Sequence, residues 1–228
     1  MSTDPKYIIR GVGGSHAHGL AHATSDHDYR GVHSFPTDAW WGLSKPRETL
    51  DGHEPFDYSS HELEKFLSLA AKGNPDVLEV LALETYTDFE PRWGSKLIDL
   101  TPSILANQTI KPAYMGYASQ QFHALKKRAA EGNESFSAGM GGRTWKHAKH
   151  MFRLLETGTT ILRTGELRIK VENRDWYLKV LPQMTLQEMI TVFELRFEEV
   201  KNLQGVLPES NPDYDAINKF IYDYRKAH

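Results

Sequence analysis

The chain has 228 residues, of which 39% are hydrophobic and 25% are charged. These values are ordinary for a globular protein and predict one domain or two small ones around a sizeable core. No cysteine is present, which excludes disulfides and thiolate metal sites and fits a reducing compartment. The stretch MSTDPKYIIRGV contains no long apolar run, so we expect no signal peptide, no membrane span and a cytoplasmic location.

Charge is distributed unevenly along the chain, although the net charge is only −3. Residues 1–110 carry 9 Lys/Arg and 16 Asp/Glu, residues 111–175 carry 12 and 6, and residues 176–228 carry 6 and 8. The overall charge argues against a generally basic nucleic-acid binder. An acidic segment that faces a basic one is suited to hold a metal-bound polyanion, and a chance fluctuation of solvated charge is the alternative.

The first predicted elements are a short β-strand in KYIIRGV and a glycine turn that interrupts it. Gly13 and Gly14 allow the backbone to approach phosphate oxygens closely, and Ser15 adds a hydroxyl donor. A short helix or turn is expected to follow, and the amide groups at its start favour an anion. The turn therefore predicts a phosphate contact, although many turns contain the same residues.

An aspartate pair follows the turn in the alternating stretch SDHDYRGVHSF. The period of two predicts a strand that carries Asp26 and Asp28 on one face, together with Arg30, which either pairs with Asp28 or contacts phosphate. Mg²⁺ commonly binds one or two carboxylates together with substrate phosphates. Two such ions can activate an attacking hydroxyl and stabilise leaving pyrophosphate. A polar turn without function is the alternative interpretation of the pair.

Histidines in the same stretch raise the alternative of a His-rich metal centre, and they are His16, His18, His22 and His27. Their spacing differs from the paired His-Glu pattern of zinc hydrolases. A metal-dependent phosphohydrolase that uses His27 with the two aspartates is the stronger form of this alternative.

The next elements are predicted from turn and capping signals. A hairpin is expected through Asp51-Gly52. Ser59 is expected to cap a helix, with Glu62 reaching back to complete a capping box. Asn74 is expected to cap a second helix, which has a proline in its first turn.

From about Ile110 the apolar spacing is near 3.6 and predicts long helices. In one of them Lys146, His150 and Arg153 lie at i, i+4 and i+7, on one face that could hold the outer phosphates of a nucleotide. A solvated helix face is the equal alternative. Strands and turns followed by helices predict an α+β fold.

The string GSHAHGLAHATSDHDYRGV resembles the polymerase-β-like nucleotidyltransferase superfamily, and more closely its branch associated with RNA repair. That branch typically reads Gly-Ser, an aromatic-containing Ala-x-Gly-Leu-Ala-Thr, and then Ser-Asp-x-Asp-x-Arg-Gly-Val. FDYSSHELEKFLSLAAKGNPDVLEVL and KHAKHMFRLLETG also resemble it, so the likeness covers most of the chain. His16 and His18 depart from the pattern, which more often has Arg and an aromatic there, so a phosphate contact at position 16 would depend on pH.

The resemblance implies a small mixed-sheet nucleotidyltransferase domain, assigned to residues 1–108, and a helical nucleotide- and substrate-binding domain, assigned to residues 109–228. It implies that Asp26 and Asp28 bind metal together with a third carboxylate. We choose Asp57 for that role over Glu54, because Asp57 lies in a β-like run. Lys146 is implied as the leading candidate for a contact to the triphosphate.

The leading hypothesis is a Mg²⁺-dependent nucleotidyltransferase that moves an NMP from an NTP, ATP among them, to an acceptor hydroxyl with release of pyrophosphate. Two Mg²⁺ ions are expected, with Mn²⁺ as the alternative, and an RNA end is the expected acceptor. The proposed catalytic and metal-binding residues are Asp26, Asp28 and Asp57, and the proposed nucleotide-binding residues are Gly14, Ser15, Lys146, His150 and Arg153. The alternatives are a non-catalytic nucleotide-binding module on the same fold and the phosphohydrolase. The base of the NTP and the oligomeric state do not follow from the sequence.

Overall fold

The computed structural model describes residues 4–54, 56–130 and 142–228. Within these ranges one sheet of five strands is present, in the order β3-β4-β2-β1-β5. β2 and β4 are parallel, whereas the other neighbouring pairs are antiparallel, so the sheet is mixed. The strands are β1 (Lys6–Val12), β2 (Tyr29–Ser34), β3 (Thr49–Gly52), β4 (Tyr58–Glu62) and β5 (Tyr86–Phe89).

Helices follow and surround the sheet, and they dominate the C-terminal half. They are α1 (Gly14–Ala17), α2 (Leu63–Ala71), α3 (Pro75–Leu78), α4 (Pro91–Asp99), α5 (Thr101–Ile104), α6 (Asn107–Ala130), α7 (Gly142–Thr164), α8 (Leu186–Asn202) and α9 (Tyr214–Ala227). The predicted α+β class and the helical C-terminal region are confirmed. None of the helices in the described ranges is long and apolar enough to cross a membrane.

The predicted start of the first long helix is wrong by several residues. Ser59 lies in β4, and α2 begins only at Leu63. Parallel pairing with β2 gives the backbone of this stretch hydrogen-bond partners. A helix that began at Ser59 would have to give those partners up. Glu62 caps α2 instead, since its carboxylate accepts a hydrogen bond from the amide of Glu64 at 2.9 Å. The predicted cap at Asn74 is confirmed, because its side chain accepts from the amide of Val77 at 3.2 Å.

The predicted hairpin is confirmed as the antiparallel pair of β3 and β4, but its turn lies further along the chain. Asp51 and Gly52 belong to β3 rather than to the turn. Gly52 is opposite Tyr58, and a Cβ at Gly52 would meet the tyrosine ring at 2.5 Å. The glycine therefore makes room for a neighbouring strand's side chain and does not mark the reversal.

Most buried apolar side chains of the described residues belong to one cluster that runs from the sheet into the helices. Ile9 and Val32 represent the sheet in it, while Phe66, Phe122 and Phe152 represent α2, α6 and α7. Burying side chains of this size contributes about 1.5–3 kcal/mol each relative to exposure. The division of the chain at residues 108 and 109 remains a prediction.

The last helix returns to the sheet through Arg225. Its guanidinium donates to Glu62 at 2.5 Å and to the Ser34 hydroxyl at 2.9 Å, and its side chain is only 12% exposed. Asp4 and His228 line the same surface groove beside α9. The two ends of the described chain thus lie on one side of the molecule.

Candidate active site

An open cleft of about 870 Å³ lies between the sheet and helix α7. The glycine turn after β1, the segments that precede β2 and β4, the region of α3 and the first half of α7 form its walls. All residues that the sequence analysis assigned to catalysis, metal or nucleotide line this cleft, namely Gly14, Ser15, Asp26, Asp28, Asp57, Lys146, His150 and Arg153. The fold thus brings together residues more than 120 positions apart in sequence, and their chemical roles remain predictions.

The glycine turn is in direct contact with the second aspartate. The amide of Gly13 donates to the backbone oxygen of Asp28 at 2.7 Å. Gly14 has a φ of +58°, and a Cβ on it would overlap the carboxylate of Asp28. Both the backbone conformation and the lack of space require glycine at this position. α1 is only four residues long, so what the turn offers an anion is its amide groups and the Ser15 hydroxyl rather than a helix dipole.

The prediction that Asp26 and Asp28 lie on a strand is wrong. β2 begins at Tyr29, and both aspartates lie in the irregular segment before it. The hydrogen bond between Gly13 and Asp28 joins this segment to the glycine turn, and both aspartates line the cleft. Across the described ranges neither carboxylate forms an ion pair, and Arg30, which donates to the backbone oxygen of Tyr29 at 3.2 Å, does not bind Asp28.

Asp57 enters the cleft from the neighbouring parallel strand. Tyr29 is opposite Tyr58, and its amide donates to the backbone oxygen of Asp57 at 2.8 Å. Asp28 and Asp57, each directly before its strand, therefore lie side by side. Asp57 also accepts a hydrogen bond from His53 Nδ1 at 2.7 Å in an exposed pair. The rival Glu54 is exposed and is not part of the cleft lining.

The cleft carboxylates could hold a divalent metal only together with further ligands, such as the phosphate oxygens of a nucleotide. In the part of the chain that the structure describes, no group of three or more His, Asp or Glu side chains could hold a metal ion by itself. Asp26, Asp28 and Asp57 nevertheless offer hard oxygen ligands on one wall, and phosphate oxygens are the usual remaining ligands of Mg²⁺. His16 and His27 stack on each other with ring centroids 4.4 Å apart, and neither lines the cleft.

The α7 wall carries less available charge than its sequence indicates. Lys146 is exposed to the cleft and has no ion pair among the described residues. Burial and the charge of Arg153 lower the pKa of His150 to about 4, so this histidine is neutral at pH 7. Arg153 is 11% exposed and donates to the carboxylate of Glu79. Of the three predicted residues, Lys146 thus presents an unpaired cation.

A largely buried cluster of His18, Glu79 and Arg153 forms part of the cleft wall. Glu79 Oε2 is 3.3 Å from His18 Nε2, while His18 Nδ1 is 3.1 Å from the backbone oxygen of Ile169. Burial alone would raise the pKa of Glu79, but Arg153 and His18 outweigh it and lower the pKa to about 2. The cluster connects three parts of the chain, because His18 directly follows α1, Glu79 directly follows α3 and Arg153 belongs to α7.

Sequence reasoning missed Glu79 and also Asp76. Asp76 is exposed to the cleft but enclosed by protein on most sides, so burial and the charge of Glu79 raise its pKa. Glu79 had one available signal, because it is a charged residue within the apolar run VLEVLAL. Charged residues are rarely buried unless they are paired, so this run predicts a partner without identifying it.

Comparison with known proteins places this cleft in a family. The sequence model of the RNA repair pathway DNA polymerase beta family, RlaP, matches residues 3–179. The chain belongs to this family. The matched part of this RlaP chain includes every predicted site residue and all of α7, and family membership supports nucleotidyl transfer as the general chemistry.

The resemblance to a nucleotidyltransferase of the RNA-repair branch is thereby confirmed. Among solved structures, the chain is similar to a nucleotidyltransferase-like protein from Exiguobacterium sibiricum 255-15. The two sequences are 11% identical, the TM-score is 0.34, and the match covers 98% of this chain and 74% of the other. A search of curated proteins found no match to the RlaP chain.

Proposed function

We propose that this RlaP-family protein is a Mg²⁺-dependent nucleotidyltransferase that transfers an NMP group from an NTP to an acceptor hydroxyl. One observation carries the proposal: a Cβ on Gly14 would overlap the Asp28 carboxylate, and Asp57, directly before the neighbouring parallel strand, lies beside Asp28. A nucleotide whose phosphates rest on the turn would therefore have its α-phosphate next to the carboxylates. Nucleotidyl transfer requires that proximity.

The proposed binding roles follow from the positions of the side chains. Gly14 and Ser15 hold phosphate oxygens through amide and hydroxyl donors. Lys146, on the opposite wall, contacts the outer phosphates as a mobile point charge. His150, neutral at pH 7, acts as a hydrogen-bonding group rather than a charge. Arg153 contributes to the site through its pairing with Glu79, which orients the α7 wall.

The proposed reaction is an in-line displacement at the α-phosphorus. The acceptor oxygen forms a bond to the α-phosphorus, the bond from that phosphorus to the bridging oxygen breaks, and pyrophosphate leaves with the bonding electron pair. The hydroxyl proton passes to Asp57, whose carboxylate is the candidate base. Divalent metal held by Asp26, Asp28 and Asp57 would neutralise the charge on the phosphates, with Mn²⁺ as a substitute for Mg²⁺.

An RNA end is the proposed acceptor. The family is described by an RNA repair pathway, and residues 111–175 carry a net charge of +6. Trp41 is 81% exposed and could stack on an unpaired base. Contacts between Lys or Arg and phosphates release counterions, so binding must weaken as salt rises. We expect salt-sensitive RNA binding that falls when Lys126, Lys127 and Arg128 are neutralised together, and a salt-independent interaction would point to another acceptor.

The direct test uses each of the four α-labelled NTPs with Mg²⁺, with and without short RNAs that have defined ends. We expect label to move to the acceptor and pyrophosphate to be released. Asp26→Ala and Asp28→Ala should abolish transfer while the variants remain folded by circular dichroism, and Asp51→Ala on β3, outside the cleft, is the matched control. Undiminished transfer by either cleft variant would refute the role of the carboxylates.

The same assay separates the alternatives. A nucleotide-binding module without catalysis is favoured by one observation, the lack of a complete three-ligand metal cluster among the described residues. It would bind NTP and release no pyrophosphate. A phosphohydrolase would release NMP to water without any acceptor. His27, which that alternative requires, stacks on His16 and does not line the cleft.

A further inference from the structure

The floor of the cleft continues beyond the carboxylates along β2 and β4. Alternate residues of a strand share a face, so the next positions after Asp28 and Asp57 that face the cleft are Arg30 and Ser59. These two residues are opposite each other in the parallel register, and both line the cleft. A cationic side chain and a hydroxyl thus lie next to each other, two residues along the strands from the carboxylate pair.

Arg30 is the arginine of this cleft whose charge is not neutralised by a carboxylate. Its single hydrogen bond within the described ranges is the one from Nη1 to the backbone oxygen of Tyr29, at 3.2 Å. Arg153, the other arginine in the cleft lining, is paired with Glu79. A guanidinium has five N–H donors in a planar fork that matches the oxygens of a phosphate. Most of that fork is available at Arg30.

The surroundings hold Arg30 in place without pairing it. A Cβ on Gly13 would lie 2.9 Å from Arg30 Cγ, so the aliphatic stem packs against the backbone of the glycine turn. Arg30 lines the cleft together with His61 on β4 and Asp76 at the start of α3, and neither forms an ion pair with it in the described structure. The guanidinium therefore lies inside the cleft, between the sheet and the α3 wall.

We propose that Arg30 and Ser59 form a phosphate-binding subsite on the sheet floor, separate from the glycine turn and from Lys146. The guanidinium donates to two phosphate oxygens, and the Ser59 hydroxyl, which has no partner among the described residues, donates to a third. This subsite rests on the proposed function, because its phosphate belongs either to the nucleotide, as the α-phosphate, or to the acceptor, as a terminal phosphate beside the attacking hydroxyl.

Binding measurements without turnover test the subsite. Calorimetry with ATP, AMP, adenosine, and one short RNA with and without a 3′-phosphate, which lies beside the terminal 2′-hydroxyl, would be performed on the wild type, Arg30→Gln, Arg30→Lys and Ser59→Ala. Arg10→Gln is the matched control, since Arg10 lies on the adjacent strand, pairs with Asp88 and does not line the cleft. Thermal unfolding establishes that each variant is folded.

For a nucleotide phosphate, Arg30→Gln should weaken ATP and AMP equally, on the order of tenfold to a hundredfold, and leave adenosine unchanged. For an acceptor phosphate, only the phosphorylated RNA should be weakened. Arg30→Lys should recover part of the loss, because it keeps the charge without the fork, and Ser59→Ala should weaken the same probe by a smaller factor. If Arg30→Gln does not fold, the Arg30→Lys and Ser59→Ala results decide.

Two results would overturn the proposal, and they differ in what else they affect. If Arg30→Gln binds every phosphate probe as Arg10→Gln does, the subsite is wrong and the proposed transferase function is unaffected. If the wild type binds none of the phosphate probes, the proposed function fails and the subsite fails with it.

Discussion

Gly14 is the residue at which one added methyl group should abolish transfer and lower stability only moderately. A Cβ there would overlap the Asp28 carboxylate, and the φ of +58° is unfavourable for any side chain. We expect Gly14→Ala to displace Asp28 and abolish transfer, at a stability cost of about 1–2 kcal/mol from the left-handed backbone. Urea unfolding and the transfer assay measure the two effects.

The matched control for this substitution is Gly116→Ala. Gly116 lies inside α6, and a Cβ on it would meet no atom within 4 Å. Alanine in an exposed helix interior is favoured over glycine by about 0.5–1 kcal/mol, so this variant should be slightly more stable and fully active. Full activity of Gly14→Ala would show that the contact with Asp28 does not matter for the chemistry.

Lys146 offers a second test at the same scale, because it lines the wall opposite the sheet and has no ion pair among the described residues. We expect Lys146→Ala to weaken NTP binding by about 1–3 kcal/mol, the loss typical of a charged hydrogen-bond partner. NMP binding should change much less, since Lys146 is assigned to the outer phosphates. Calorimetry with ATP and AMP measures both, and equal losses would contradict the assignment.

The sequence alone identified the residues of the cleft better than their interactions. Asp26, Asp28 and Asp57 could be predicted because a short motif and its neighbouring strand contain them. The pairing of Arg153 with Glu79 could not, because the two residues are 74 positions apart and meet only through tertiary packing. For the same reason, the sequence predicted three cationic side chains at Lys146, His150 and Arg153, whereas in the structure His150 is neutral at pH 7 and Arg153 is paired.

At the scale of elements, the link between α7 and the segment after α3 depends on Glu79. Removal of one partner from a buried ion pair leaves an uncompensated charge. We therefore expect Glu79→Ala to destabilise the protein by about 3–5 kcal/mol, because the buried charge of Arg153 would lose its carboxylate partner. Glu199→Ala is the control, because it removes an exposed pair with Arg163 and should cost at most about 1 kcal/mol. Equal losses in chemical denaturation would contradict a special role for the buried cluster.

Element boundaries show where local signals lose to long-range pairing. The capping pattern at Ser59 competes with a parallel ladder to β2, which lies almost thirty residues earlier in the chain. The capping rule considers only neighbouring residues, so it predicted the start of a helix at residues that belong to β4. The cap at Asn74 was predictable, because its hydrogen bond to the amide of Val77 is entirely local.

For the whole molecule, stability should depend on pH through buried histidines. Burial lowers the pKa of His33 to about 4, against 6.5 for the unfolded chain. Between these values the unfolded chain binds a proton that the native protein does not, so the free energy of unfolding falls as pH falls from about 6.5 to about 4. Urea unfolding at several pH values should show this decline. The slope should be smaller for His33→Gln and unchanged for His123→Gln, which alters an exposed histidine.

The ends of the described chain, Asp4 and His228, line one groove, and this has a consequence for redesign of the chain order. Asp4 and His228 could be joined by a short glycine-rich linker, and new ends could be opened at Gly42, where a Cβ would meet no atom within 4 Å and the flanking Trp41 and Leu43 are exposed. In such a circular permutant the glycine turn and Asp28 would be synthesised after Asp57 and α7, the reverse of their natural order. The folded product should be the same, because the cleft depends on which strands and helices meet and not on which is synthesised first.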